Sequence, residues 1–381
     1  MHLDRLSVFD VTLKIERLVV RKGGLPPLFT AQSPTLKQNI IMTVMDGVLI
    51  IDKPAGITSH DVVARVRKIL GERRIGHTGT LDPFATGVLV ALVGRATRLA
   101  QFLSGAEKEY EAMIRLGYAT DTGDLTGTRL PPAELAGSVR SRESSEEPPP
   151  TGERPVPVTT DEAIESAIDC LRGEIDQVPP MYSAKKHQGR KLYELARRGE
   201  EIERAAVRIT VHEFETVRRN SRLLTRNEDA TSDLAVRVVC SAGTYIRTLA
   251  EDLGRRCGVG AHLVALRRTR AGDFGISDAV SLETLQQAVA NHEIEDHILS
   301  TDAALSRLPF LHLTAADAAR TRNGMQVSVD TDSTSAWLDG ERVRMRDEGG
   351  SLIAIGVFDA AGRTVQPRVV LAEIVARASR P

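Results

Sequence analysis

Ordered patterning of apolar and polar positions begins at Gly47. Residues 48–51 form an unbroken apolar run stopped by Lys53-Pro54 and Gly56, which predicts a buried strand. Ser59 is placed to cap a helix in which Val62, Val63, Val66, Ile69 and Leu70 recur at helical spacing up to Gly71. Residues 76–86, rich in Gly, Thr and Pro, read as a loop. Residues 88–93 are a second buried strand, followed by a helix over about 96–103 and a strand over 110–116. Thr159 and Glu162 fit a capping box for a helix reaching about Leu171. Val207, Ile209 and Val211 alternate with polar residues, as do Leu234, Val236 and Val238, and both stretches predict strands. Gly243 opens a helix with Ile246, Leu249, Ala250 and Leu253 on one face, and a helical stretch is expected from Ser281 to about Ser306.

The pattern divides the chain. Residues 1–44 have no clear period and contain Gly23, Gly24, Pro26, Pro27 and Pro34; they read as a loose extension, or as a leader ahead of a true start at Met42 or Met45. Residues 45–307 carry the helices and strands of a catalytic-sized body. Residues 129–157 interrupt it with a Pro-, Ser- and Glu-rich stretch that cannot build a packed core and reads as a disordered insertion. Residues 308–381 change character: a short helix over 314–321 closed by Asn323-Gly324, then strands over 352–358 and 365–371, form a small β-rich module. The mixture predicts an α+β body with a separate C-terminal domain.

Composition narrows the class without naming it. At 381 residues, with 41% hydrophobic and 27% charged residues, the chain suits two or three globular domains. Its longest aliphatic run is too short to span a membrane, and its first residues lack a signal-peptide core. Cys170, Cys240 and Cys257 are far apart and without metal or redox spacing; they read as buried thiols of a reducing compartment, so a cytoplasmic location is expected. Net charge is −1, so any polyanion must meet a segregated basic face. Lys185, Lys186, Arg190 and Lys191 form one basic cluster and Arg267, Arg268 and Arg270 another, although such clusters are also ordinary solvated faces.

The chemistry concentrates in residues 76–87 (GHTGTLDPFATG). This loop presents backbone and hydroxyl groups around one carboxylate, Asp82. Pro83 restricts Asp82 to extended conformations and sets the direction of its side chain. An aspartate of ordinary acidity is ionised at neutral pH and is available as nucleophile or base. By itself it could equally cap a turn.

The loop resembles the catalytic loop of the TruB family of tRNA pseudouridine-55 synthases. The likeness extends, in the family's order, to residues 47–57 (GVLIIDKPAGI), 181–197 (MYSAKKHQGRKLYELAR), 241–254 (SAGTYIRTLAEDLG) and 260–270 (GAHLVALRRTR). The resemblance implies a pseudouridine synthase fold: a mixed, largely antiparallel central sheet flanked by helices, with a small C-terminal PUA-like RNA-binding domain. It implies that Asp82 attacks a flipped-out uridine nucleotide, so that the base detaches, turns and rejoins through carbon. Tyr110 matches the active-site tyrosine that stacks on the target base, and Arg247 the arginine that pairs with the catalytic carboxylate. His77 matches a histidine that enters the RNA loop, and Tyr245 a residue lining the pocket. Lys53 is assigned to the first motif and to the substrate side, with Lys185, Lys186, Lys191, Arg267 and Arg268 as phosphate contacts. The reaction implied is an isomerisation needing no cofactor and no metal. Its substrate is the T arm of tRNA, and the enzyme is expected to act as a monomer without a protein partner. Two rivals stay open: a guide-RNA-dependent pseudouridine synthase, and an RNA-folding or RNA-binding protein. Three departures from the family pattern, Val90 in place of a frequent proline, the insertion after residues 121–127 and the leader over 1–44 without a counterpart, leave the matched catalytic positions intact.

Overall fold

The computed structural model describes residues 46–131, 160–330 apart from 184, 188, 197 and 201, and 337–371. The predicted extension over 1–44 and nearly all of the insertion predicted over 129–157 lie outside the described residues.

Eight strands form the main path of the larger sheet. They are β1 (Gly47–Lys53), β2 (Thr86–Val93), β3 (Lys108–Leu116), β4 (Gly173–Gln177), β5 (Val207–Thr216), β6 (Ser232–Cys240), β7 (Ala261–Ala271) and β8 (Ile298–Leu299). Their order is β8-β1-β2-β7-β3-β6-β5-β4, with three short strands paired beside it, eleven in all. Neighbours on the path are antiparallel except β2 and β7, which run parallel through Arg267↔Thr86 and Arg268↔Gly87. Gly87 makes that junction possible: it sits at φ +101°, and a Cβ there would lie 2.2 Å from the Arg268 carbonyl oxygen. The mixed, largely antiparallel sheet is the one expected.

Strands β1 and β2 explain their own continuous apolar runs. Leu49, Ile51, Leu89, Ala91 and Val93 pack on Val62, Val63, Val66 and Leu70 of helix α1 (Ser59–Leu70), while Val48, Ile50, Val88, Val90 and Leu92 face a second core on the opposite side. A strand buried on both faces has no polar face to alternate with. Strand β3 does alternate: Tyr110, Ala112, Ile114 and Leu116 face a third core and the residues between them face outward.

Several boundaries differ from the sequence expectation, each for a local reason. Thr58, not Ser59, caps α1, in a reciprocal box with Asp61 that satisfies two orphan N–H groups. Thr160, not Thr159, caps helix α2 (Asp161–Asp169), accepting from the Ala163 N–H at 3.2 Å. The stretch expected as helical from Ser281 to about Ser306 is α-helical only over α4 (Leu282–Ala290), which follows α3 (Ile246–Arg256) in chain order, with short 3-10 turns at Ile294–His297 and Ala303–Leu305. His292 takes a positive φ of 62°, which ends the helical path, and β8 then pairs with β1. Of the three cysteines only Cys240 is buried; Cys170 is exposed and Cys257 partly so.

The smaller sheet consists of β9 (Phe310–His312), β10 (Val327–Ser328), β11 (Arg342–Arg346), β12 (Leu352–Asp359) and β13 (Thr364–Val370), in the order β9-β11-β12-β13-β10. Helix α5 (Ala315–Arg322) joins its core through Ala318. Ile355, Val369 and Leu371 belong to the same buried cluster as Val48 and Val88, so this sheet packs on the outer side of β1 and β2. Among the described residues no helix is long and apolar enough to cross a membrane.

Candidate active site

The loop between His77 and Thr86 is fastened from below before any of its side chains face solvent. Lys53 at the end of β1 is fully buried, and its ammonium donates to the carbonyls of Pro54 (2.9 Å), Pro83 (3.2 Å) and Ala85 (2.6 Å). Three carbonyls use all three donors of a lysine. Lys53 therefore holds the loop rather than touching substrate, which corrects its assignment to the substrate side. Burial lowers its pKa to about 8, with Asp82 opposing. Ser59, released from capping duty, accepts the Leu81 N–H at 2.8 Å and donates to the Leu81 carbonyl at 3.1 Å. Arg268 is also buried and donates to the carbonyls of Val88 (2.7 Å) and Gly79 (3.1 Å). These bonds leave it inside the cleft wall, not on a phosphate-facing surface as expected. Arg267 forms a bidentate pair with Asp52 at 2.7 and 3.1 Å, which neutralises it as a phosphate contact.

Asp82 emerges from this frame against Arg247. The Arg247 Nε lies 2.9 Å from Asp82 Oδ2, and Nη2 donates to Oδ1 at 3.2 Å, a two-pronged pair. Arg247 stands in the first turn of α3, and its remaining donors hold the Thr122 carbonyl at 2.8 Å and the Tyr182 carbonyl at 2.7 Å. It is 4% exposed, whereas a third of the Asp82 side chain is open to the cleft. The base of the pair is locked and the carboxylate remains reachable. Burial raises the Asp82 pKa from the usual carboxylate range; Arg247 opposes that shift and Asp124 adds to it.

Asp124 is the residue that sequence reasoning passed over. Its Oδ1 accepts from Thr122 Oγ1 (2.9 Å), Thr126 Oγ1 (2.6 Å) and Thr126 N–H (2.9 Å), and its Oδ2 lies 3.9 Å from Arg247. It is buried and forms a second acidic contact behind the guanidinium. The dense Asp121-Thr122-Gly123-Asp124 run was the available signal, and nothing in its spacing pointed to Arg247.

A cavity of about 270 Å³ opens beside the pair. Tyr110, Tyr245, Lys108 and Arg268 line it with Asp82 and Arg247. Tyr110 shows 8% of its surface, and burial raises its phenol above the ordinary value, partly opposed by Arg268, which hydrogen-bonds it. Tyr245 precedes α3, and both its backbone groups are held by the Gln177 side chain at 2.8 and 3.1 Å. On the other side of Asp82 a wider cavity of about 560 Å³ is lined by His60, Phe84, Tyr182 and Asp124. His77 stands near the loop's entry. Its Nδ1 accepts the Gly79 N–H at 3.3 Å, its ring meets His60 edge-on at 5.4 Å, and burial lowers its pKa. Lys185 is exposed; Lys186 and Lys191 pair across a two-stranded ribbon, and their side chains lie outside the described structure. Among the described residues no cluster of three or more His, Cys, Asp or Glu could hold a metal.

The fold is that of a pseudouridine synthase. A chain in the crystal structure of a Cbf5-Nop10-Gar1 complex superposes with a TM-score of 0.61 at 26% identity, covering 88% of both chains. A chain of an archaeal box H/ACA sRNP Nop10-Cbf5 complex gives 0.58 at 24% identity, covering 88% of this chain and 89% of that one, and supports the fold alone. Residues 67–246 match the TruB family pseudouridylate synthase (N terminal domain), and residues 247–306 the tRNA pseudouridylate synthase B C-terminal domain. The curated tRNA pseudouridine synthase B of Bacillus cytotoxicus is 42% identical over 74% of this chain and 84% of its own length. The proteins of the same name from a Mycobacterium species and from Ralstonia nicotianae are 43% and 40% identical, over 80% and 89% of this chain and 92% and 98% of their own lengths. The chain belongs to the TruB family of pseudouridylate synthases.

Proposed function

We propose that the protein is a tRNA pseudouridine synthase that isomerises uridine-55 of the T loop to pseudouridine, with Asp82 as nucleophile. A stacked uridine inside a folded loop is out of reach, so it must be extruded into the cleft at a cost of a few kcal/mol. Tyr110 offers the ring on which the extruded base stacks. An Asp82 oxygen bonds to C1′ while N1 leaves with the electron pair of the glycosidic bond. The base turns, and C5 bonds to C1′ as the carboxylate departs with its electron pair. C5 then gives up its proton, a step in which Tyr110 is assigned to assist, and N1 takes up a proton. Arg247 keeps the carboxylate ionised and aimed before attack and stabilises it again on release.

The observation that carries this reading is the two-pronged Arg247–Asp82 pair, locked behind and open in front, at the wall of a cleft faced by Tyr110. His77 and Lys185, together with Lys186 and Lys191, are assigned to the RNA outside the cleft. Residues 308–381 are assigned as a PUA-like domain contacting the same RNA, the catalytic domain is assigned to end at 307, and the enzyme is assigned as monomeric, cytoplasmic and acting without a protein partner. The guide-RNA reading is weaker, because relatives at 40% identity and above carry the tRNA enzyme's name.

Asp82→Asn tests the centre directly. The variant should bind tRNA with unchanged affinity and release no tritium from C5-labelled uridine. Turnover near the wild-type rate would remove Asp82 from this role.

A further inference from the structure

The charged side chains lining the 270 Å³ cavity are Asp82, Arg247, Arg268 and Lys108. The first two cancel. Two positive charges remain around a site that, on the reading above, receives an uncharged base. Arg268 donates to the Val88 and Gly79 carbonyls and faces the phenol of Tyr110. Lys108 has a donor left over. It starts β3, two residues before Tyr110 and on the same face of the strand, and it is 7% exposed. Its ammonium donates to the Ser104 carbonyl at 2.6 Å and to the Ala106 carbonyl. An ammonium has three donors. The third has no protein acceptor among the described residues, and the side chain lines the cavity.

Holding a cation there has a cost: burial and Arg268 lower Lys108 to about 8. A charge kept at a disadvantage in a low-dielectric wall acts strongly on any opposite charge that forms beside it. The reaction forms one. When N1 leaves C1′ with the bonding pair, the base becomes an anion whose charge spreads over N1, O2 and O4, and it must survive long enough to turn. We propose that Lys108 is a further catalytic residue, its ammonium donating to the detached uracil anion during the turn. This rests on the isomerase reading and adds a group to it.

The test uses the full chain and tRNA carrying either uridine or 5-fluorouridine at the target position. The fluorinated base is the better leaving group and needs less stabilisation; it has no C5 proton to lose, so its reaction is read as consumption of the N-linked nucleoside. Wild-type conversion of the uridine substrate is the reference; its absence would sink the isomerase reading and not this inference alone. Lys108→Met should bind tRNA as wild type does but convert uridine roughly 100-fold more slowly in single-turnover chromatography of the nucleosides. The penalty should shrink on 5-fluorouridine, and Lys108→Arg should recover part of the rate. If Lys108→Met fails to fold, Lys108→Gln keeps donors for the two carbonyls without the charge and should show the same pattern. Equal penalties on both substrates would make Lys108 a structural peg and overturn the inference. So would weakened tRNA affinity at unchanged rate, which would assign it to a phosphate.

Discussion

Arg247 and Arg237 lie on opposite sides of one sheet, and each meets several carboxylates. Arg247 is 4% exposed and faces Asp82 and Asp124. Arg237 is 32% exposed and reaches Glu109 at 3.1 Å, Glu215 at 3.3 Å and also Glu213. Adjacent residues of β3 serve the two sites: Tyr110 looks into the cleft and Glu109 into the outer network. Both sites pair a guanidinium with carboxylates, so the main difference comes from solvent. Water screens the outer cluster, where ion pairs contribute about 0–1 kcal/mol. In the cleft, little water competes, so the same chemistry sets protonation and orientation.

Substitution of each arginine should break the symmetry most sharply. Arg247→Met leaves Asp82 and Asp124 without their cation and should destabilise the protein by about 3–5 kcal/mol in urea titration, with turnover lost as well. Next comes the pH dependence of stability. Burial holds Lys53 near 8, below the unfolded value of 10.5. Between those values the unfolded chain carries a proton that the folded chain lacks, so this group's contribution to stability rises with pH. Lys108, also near 8, adds a second slope of the same sign. Each is at most about 1.4 kcal/mol per pH unit, and Lys53→Met should halve their sum in denaturant titrations between pH 8 and 10.

A smaller effect concerns the acid limb of activity. Asp82 must be ionised, its pKa is raised by burial, and so turnover should be full above that pKa and fall as pH drops through it. The midpoint should lie above that of an ordinary aspartate. Glu251, one helical turn from Arg247 and pushed up to about 7, titrates nearby; Glu251→Gln separates its contribution in the measured profile. The smallest effect belongs to the outer cluster. Arg237→Gln should cost at most about 1 kcal/mol and leave kcat unchanged; a large loss would show that the two faces are coupled.

The comparison also explains which parts were legible in the chain. Loop 76–87 singled out Asp82 as a candidate because a carboxylate among Gly, Thr and Pro is a local pattern, and the family resemblance gave it the catalytic role. The runs in β1 and β2 announced burial, and Gly71 and Gly87 marked positions with positive φ. Lys53, Arg268 and Asp124 were misjudged or missed. A lysine in the first motif was placed on the substrate side and an arginine in a basic run on a phosphate, and only the packed structure surrounds them with carbonyls. The caps shifted by one residue because neighbouring Thr and Ser are equal candidates until one is claimed by a distant partner, as Ser59 is by Leu81.

By itself, the order of residues determined the elements, the two-faced strands and the presence of one reactive carboxylate. These depend on periodicity and on backbone preferences acting over a few residues. Only the tertiary structure decided that Arg247, 165 positions away, would grip Asp82, and that Lys108 would face the same cavity. Electrostatics in a protein depends on distance through space and on exclusion of water, and neither is written in sequence separation.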